Sequence, residues 1–112
     1  MSKETINYDD FIKLDIKIGT ITEVEIVEGA DRLLKLTVDT GDDDSRQIIS
    51  GIREYFENIQ ELVGKQCPFL VNLEPRIIRG LESQGMTLAA GSDEVFSLLH
   101  PATKLESGTL VQ

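Results

Sequence analysis

From Asp15 to Val27 the chain alternates with a period of two. Ile16, Ile18, Thr20, Thr22, Val24 and Ile26 fall on one face, and Lys17, Gly19, Ile21, Glu23, Glu25 and Val27 on the other. That period marks a β-strand, here about twice the length of an average one. Gly19 inside the run predicts a bulge or a sharp coil, because a glycine weakens regular pairing and lets a strand bend. A long, bent strand with one apolar face suits a small barrel better than a flat sheet. The chain has 112 residues, 40% of them hydrophobic, enough for one domain over residues 1–112 with a single modest core.

The other segments fit that barrel in order. Tyr8 to Leu14 carries apolar groups at 8, 11, 12 and 14, which predicts one helical turn with Asp9 or Asp10 as its N-cap, laid on the barrel as a lid. After a turn at 28–32, Leu34, Leu36 and Val38 alternate with Leu33, Lys35 and Thr37 as a second strand. The acidic stretch Asp39 to Asp44 reverses the chain into a third strand from Arg46, ended by Ser50-Gly51-Ile52. It lacks the spacing and closing glutamate of a calcium loop and reads as a solvated hairpin tip. Arg53 to Leu62 has the apolar spacing of a helix, with Gly64 as its stop. Lys65 to Asn72 and Met86 to Ala90 supply strands four and five. Five strands with a short helix between the third and fourth is the order of an all-β OB-fold barrel. It occupies residues 8–91, and 92–112 form a C-terminal extension. Val95, Phe96, Leu98 and Leu99 in that extension exceed the barrel's needs and are expected to be buried across a two-fold axis, as a homodimer interface.

Asn72 to Met86, between strands four and five, holds the chemistry of a binding site. Pro75 ends ladder pairing, Gly80 and Gly85 permit positive φ, and Arg76, Arg79, Ser83 and Gln84 are donors suited to phosphates, sugars or base edges, with Met86 as a soft apolar contact. Taken alone, the stretch fits a polar hairpin loop as well.

Charge narrows the partners. The formal net charge is -9, but residues 1–61 hold 7 basic against 15 acidic groups and residues 62–112 hold 4 against 5. This argues against indiscriminate nucleic-acid binding, and any anion-binding face is local. Cys67 is the only cysteine and His100 the only histidine, a poor basis for a disulfide, a metal site or a nucleophilic triad. No phosphate-binding glycine loop is present either, so neither an enzyme nor a cofactor is expected. No run approaches the roughly 20 apolar residues of a membrane span, and Met1-Ser2-Lys3-Glu4-Thr5 lacks a secretory core, so a cytoplasmic location is expected. The start at Met1 fits a whole protein or a cloned C-terminal domain equally.

Several spaced segments together resemble the tRNA-binding domain family. They are Tyr8-Asp9-Asp10-Phe11, Leu14-Asp15-Ile16-Lys17-Ile18-Gly19-Thr20-Ile21, Gly29-Ala30-Asp31-Arg32-Leu33-Leu34, Ser50-Gly51-Ile52, Asn72-Leu73-Glu74-Pro75-Arg76 and Arg79-Gly80-Leu81-Glu82-Ser83-Gln84-Gly85-Met86. That domain occurs at the C-terminus of methionyl-tRNA synthetases, as a free-standing tRNA-binding protein, in synthetase cofactors and in an export-related chaperone branch. The resemblance implies a dimeric OB-fold that binds tRNA by shape, with Lys17, Arg32, Lys35, Arg76 and Arg79 on phosphates, Asn72 and Ser83 on sugars or bases, and Met86 packed against a base or sugar. An aminoacyl-tRNA synthetase is the implied further partner. Glu74 and Ile77 stand where many relatives have lysine, which leaves two other readings: a dimerising scaffold with weakened RNA binding, or a chaperone-like peptide binder.

Overall fold

The long alternation forms β1, Ile16–Ile26, in a computed structural model that describes residues 2–112. One edge of β1 pairs with β2 (Leu34–Asp39) and the other with β4 (Gln66–Leu70), both antiparallel. β2 pairs in turn with β3 (Arg46–Ser50). After β4 come the hairpin β5 (Arg76–Ile78) and β6 (Leu81–Ser83), the short β7 (Met86–Thr87) on β4, and the hairpin of β8 (Ala89–Gly91) and β9 (Phe96–Leu98). The sheet order is β3-β2-β1-β4-β7, the five-stranded, nearly closed barrel expected. The fifth strand, however, is only β7, because residues 89–91 leave the barrel to pair with β9.

The bulge in β1 lies at Thr22, where the register jumps from Ile21 opposite Val38 to Glu23 opposite Thr37. It moves the core face from odd to even positions, so Ile21 and Val24 are both buried while Ile26 is half exposed. The uniform faces expected from the alternation are therefore broken in mid-strand. Gly19 serves close packing instead. A Cβ there would lie 2.6 Å from Val38 Cγ1 and 2.8 Å from Phe69 Cδ2, inside the radii of fully buried side chains.

The rest of the core follows the pattern. Leu34, Leu36 and Val38 are fully buried from β2, with Ile48 from β3 and Phe69 from β4. Cys67 is fully buried too, and burial pushes its thiol up to about 11, so it is protonated at neutral pH. Arg53 to Leu62 is two 3-10 turns, Arg53–Tyr55 and Ile59–Leu62, rather than one helix. Phe56 turns extended between them, and the Asn58 side chain accepts from Gln60 N (3.1 Å) to start the second turn. Gly64 closes the segment at φ 89 as expected.

The N-terminal turn Tyr8–Phe11 is capped by Asn7, not by Asp9 or Asp10, and buries no residue. It is no lid. The extension also packs differently from expectation. Leu98 belongs to its own barrel's core, and Phe96 stacks on Tyr55 (4.0 Å between centroids, 7°) with Phe56 edge-on. Of the four residues assigned to a dimer face, only Val95 and Leu99 remain exposed. Further on, Gln66 grips Leu105 through both ends of its amide, and residues 108–111 run along β1 where β2 has ended. There Gly108 N donates to Ile18 O, Ile18 N to Thr109 O and Val111 N to Ile16 O.

Candidate nucleic-acid interface

β4 ends at Leu70, and the eight residues after Pro75 form the β5–β6 hairpin, with Arg76 opposite Ser83 and Ile78 opposite Leu81. Its two-residue turn is Arg79-Gly80, with φ of 54 and 80, as a type I′ turn requires. Arg79 is the one non-glycine among the described residues at positive φ. Its guanidinium reaches back to Gly29 O (3.2 Å), which brings the hairpin tip to the turn holding Arg32. The sequence signal for this hairpin was available in Ile77-Ile78-Arg79-Gly80-Leu81, a glycine-containing two-residue turn between short apolar runs.

The hairpin and its exit close the barrel against β3. Ile49 N donates to Ser83 Oγ (3.0 Å), Gln47 N to Gln84 Oε1 (2.9 Å) and Gln84 N to Gln47 O (2.8 Å). Two side chains thus act as a substitute strand for backbone donors on the β3 edge, where unpaired groups are costly. Gly85 fits this seam because a Cβ would meet Leu70 O at 2.9 Å.

Two expected contact residues are therefore occupied within the chain. Ser83 is buried and also donates to Gly85 O. Asn72 accepts from Asp15 N (2.8 Å) and donates to Lys13 O (2.7 Å), tying the N-terminal segment to the start of the hairpin stretch. Both side chains carry internal bonds, a use that sequence does not reveal.

The cations differ in availability. Lys35 pairs with Glu25 (2.8 Å), Arg32 with Glu54 (3.7 Å) and Lys17 with Asp42 (3.9 Å). Arg76 and Arg79, both exposed, enter no ion pair among the described residues. Arg76, Glu74, Leu73, Ile78 and Met86 line one small concavity of about 70 Å³, with Met86 about half exposed. It is too small to enclose a base, so Met86 and Arg76 offer a contact surface. Glu74 opposes an anion there.

Asp42 anchors the acidic turn. The Thr40 hydroxyl (2.8 Å) does most to hold its carboxyl below the ordinary 3.8, against partial desolvation, and Arg46 and Lys17 add to the lowering. A depressed carboxyl stabilises the fold above its unfolded value, and that contribution is lost as pH falls through the lower folded value. We expect the turn to loosen only below about pH 4. Acid unfolding followed by circular dichroism should show less loss between pH 4 and pH 2 in Asp42→Asn than in the parent. An equal loss would remove Asp42 from this role.

The family model described as "Putative tRNA binding domain" matches residues 16–110. The chain is 43% identical over 107 residues to a methionine–tRNA ligase of Lactococcus lactis, covering 95% of this chain but only 16% of that ligase. Among solved structures, a methionyl-tRNA-synthetase-related protein from Pyrococcus horikoshii superposes with a TM-score of 0.89 at 32% identity, over 98% of this chain and all of that one. The chaperone CsaA from Bacillus anthracis superposes at 0.86 and 28% identity, over 97% of this chain and all of that one.

Proposed function

Because this chain belongs to the tRNA-binding domain family, we propose that it is a non-catalytic cytoplasmic module that holds tRNA by backbone and shape. The observation carrying this reading is Arg79, a cation kept at positive φ on an exposed hairpin tip. An L-residue there costs about 1–2 kcal/mol that glycine avoids. The cost is offset if the guanidinium meets phosphate. Arg76, at the base of the same hairpin, supplies a second guanidinium outside any ion pair among the described residues, and Met86 a soft surface for a sugar or base. Lys17, Arg32 and Lys35 reinforce the field through exchangeable surface pairs, while Asn72 and Ser83 shape the segment that carries the contacts. The likeness to a stretch of a methionine–tRNA ligase supports a place beside an aminoacyl-tRNA synthetase, where linkage raises effective concentration and a weak site suffices.

The test is a titration of bulk tRNA at two salt concentrations, with a structureless RNA as control. Saturable binding that prefers tRNA and weakens with salt is expected. Equal binding of both RNAs would remove shape recognition, and no binding at low salt would overturn the reading.

Val95 and Leu99, exposed next to side chains anchored in the barrel, support a homodimer. Val95→Glu with Leu99→Glu should give monomers by light scattering, with the fold unchanged. Phe96→Glu should instead lower stability, since that ring stacks within its own chain. A dimer that survives both exposed-site changes would refute this interface.

A further inference from the structure

Arg46, at the start of β3, is a cation whose hydrogen bonds all run to its own chain. Its Nε donates to Thr40 Oγ1 and Asp42 Oδ2, both at 3.2 Å, and its Nη1 to Val71 O and Gln84 O, both at 3.1 Å. Val71 precedes the hairpin stretch and Gln84 follows it. One guanidinium thus fixes both ends of the segment that presents Arg76 and Arg79, and references them to the acidic turn. The planar fork makes this possible, because a lysine could not address two carbonyls, a hydroxyl and a carboxylate from one fixed plane.

We propose that Arg46 is a positioning residue for RNA binding: it sets the spacing of the hairpin's ends and places its charge on Asp42 and two carbonyls rather than on phosphate. The proposal rests on the tRNA-binding reading above. It makes a prediction that separates it from a contact role. A residue that neutralises a phosphate releases counterions, so removing it lowers the slope of log K against log salt by about one. Removing a positioning residue weakens binding at every salt concentration and leaves that slope alone. The neighbourhood agrees, since Asp42, on which Lys17 also bears, would repel a phosphate brought to Arg46.

The experiment compares parent, Arg46→Gln, Arg46→Lys and Arg76→Ala in tRNA titrations across a salt series, with amide hydrogen exchange on the same proteins. For Arg46→Gln we expect roughly tenfold weaker binding with the parent slope, and faster exchange at Gln84 N with Leu36 N unchanged. Arg46→Lys should resemble Arg46→Gln, and it carries the test if the glutamine variant does not fold. Arg76→Ala should lose slope and keep the parent exchange rates. A reduced slope in either Arg46 variant would make Arg46 a contact residue, and parent-like affinity would make it merely structural. Either result overturns the proposal. A parent that binds no tRNA would overturn the reading of the site itself, a result the parent curve shows before any variant is compared.

Discussion

Phe69→Ala should lower the stability of this domain by about 3–5 kcal/mol, the range for emptying a buried aromatic site. Phe69 is fully buried near the end of β4, opposite both Lys17 of β1 and Thr87 of β7. Few domains of this size can lose that much, and the thermal midpoint should fall by roughly 15–25 °C. Gly19 sharpens the expectation. Gly19→Ala alone inserts a methyl against Val38 and Phe69 and should cost about 1–3 kcal/mol by overpacking. Added to Phe69→Ala, the same methyl enters space the ring has left, so the double variant should be more stable than the sum of the single effects implies. Urea denaturation of the four proteins measures this coupling. Strict additivity would mean that the two sites do not share the packing described.

The second large effect is on binding. Arg76→Ala with Arg79→Asn should weaken tRNA binding on the order of a hundredfold at low salt and reduce the salt slope by about two. Asparagine at 79 is chosen because it tolerates the positive φ that arginine occupies at a cost. Thermal stability should therefore stay level or rise as affinity falls. That opposite movement separates a contact residue from a folding defect. A variant that binds like the parent would show that the hairpin is not the RNA face, and one that melts earlier would show that Arg79 holds the tip through Gly29.

The parts of the fold legible from sequence were those governed by burial. Leu34, Leu36 and Val38 had to share a face because each exposed alternative would leave a large apolar group in water. The break in β1 was not legible at its true position, because a bulge depends on which partner residues pair, and Thr22 carries no local mark of that. Arg53 to Leu62 had helical spacing, yet Phe56 found a better contact edge-on to Phe96, forty residues later. At the site, residue type located the segment but not the division of labour within it. Ser83 and Asn72 look like ligand-binding groups by residue type. Their hydrogen bonds to Ile49, Asp15 and Lys13, far away in sequence, also tie the segment to the rest of the fold.

The run of residues 108–111 along β1 has a consequence for how the protein comes into being. β1 precedes residues 108–111 in the chain, so its edge is synthesised well before the residues that cover it. Until residues 108–111 are available, Ile16 and Ile18 offer unpaired backbone groups to any other extended chain. Contacts across nearly the whole sequence place folding among the slower topologies. The interval between making the first strand and closing its edge is when the nascent chain is most open to aggregation.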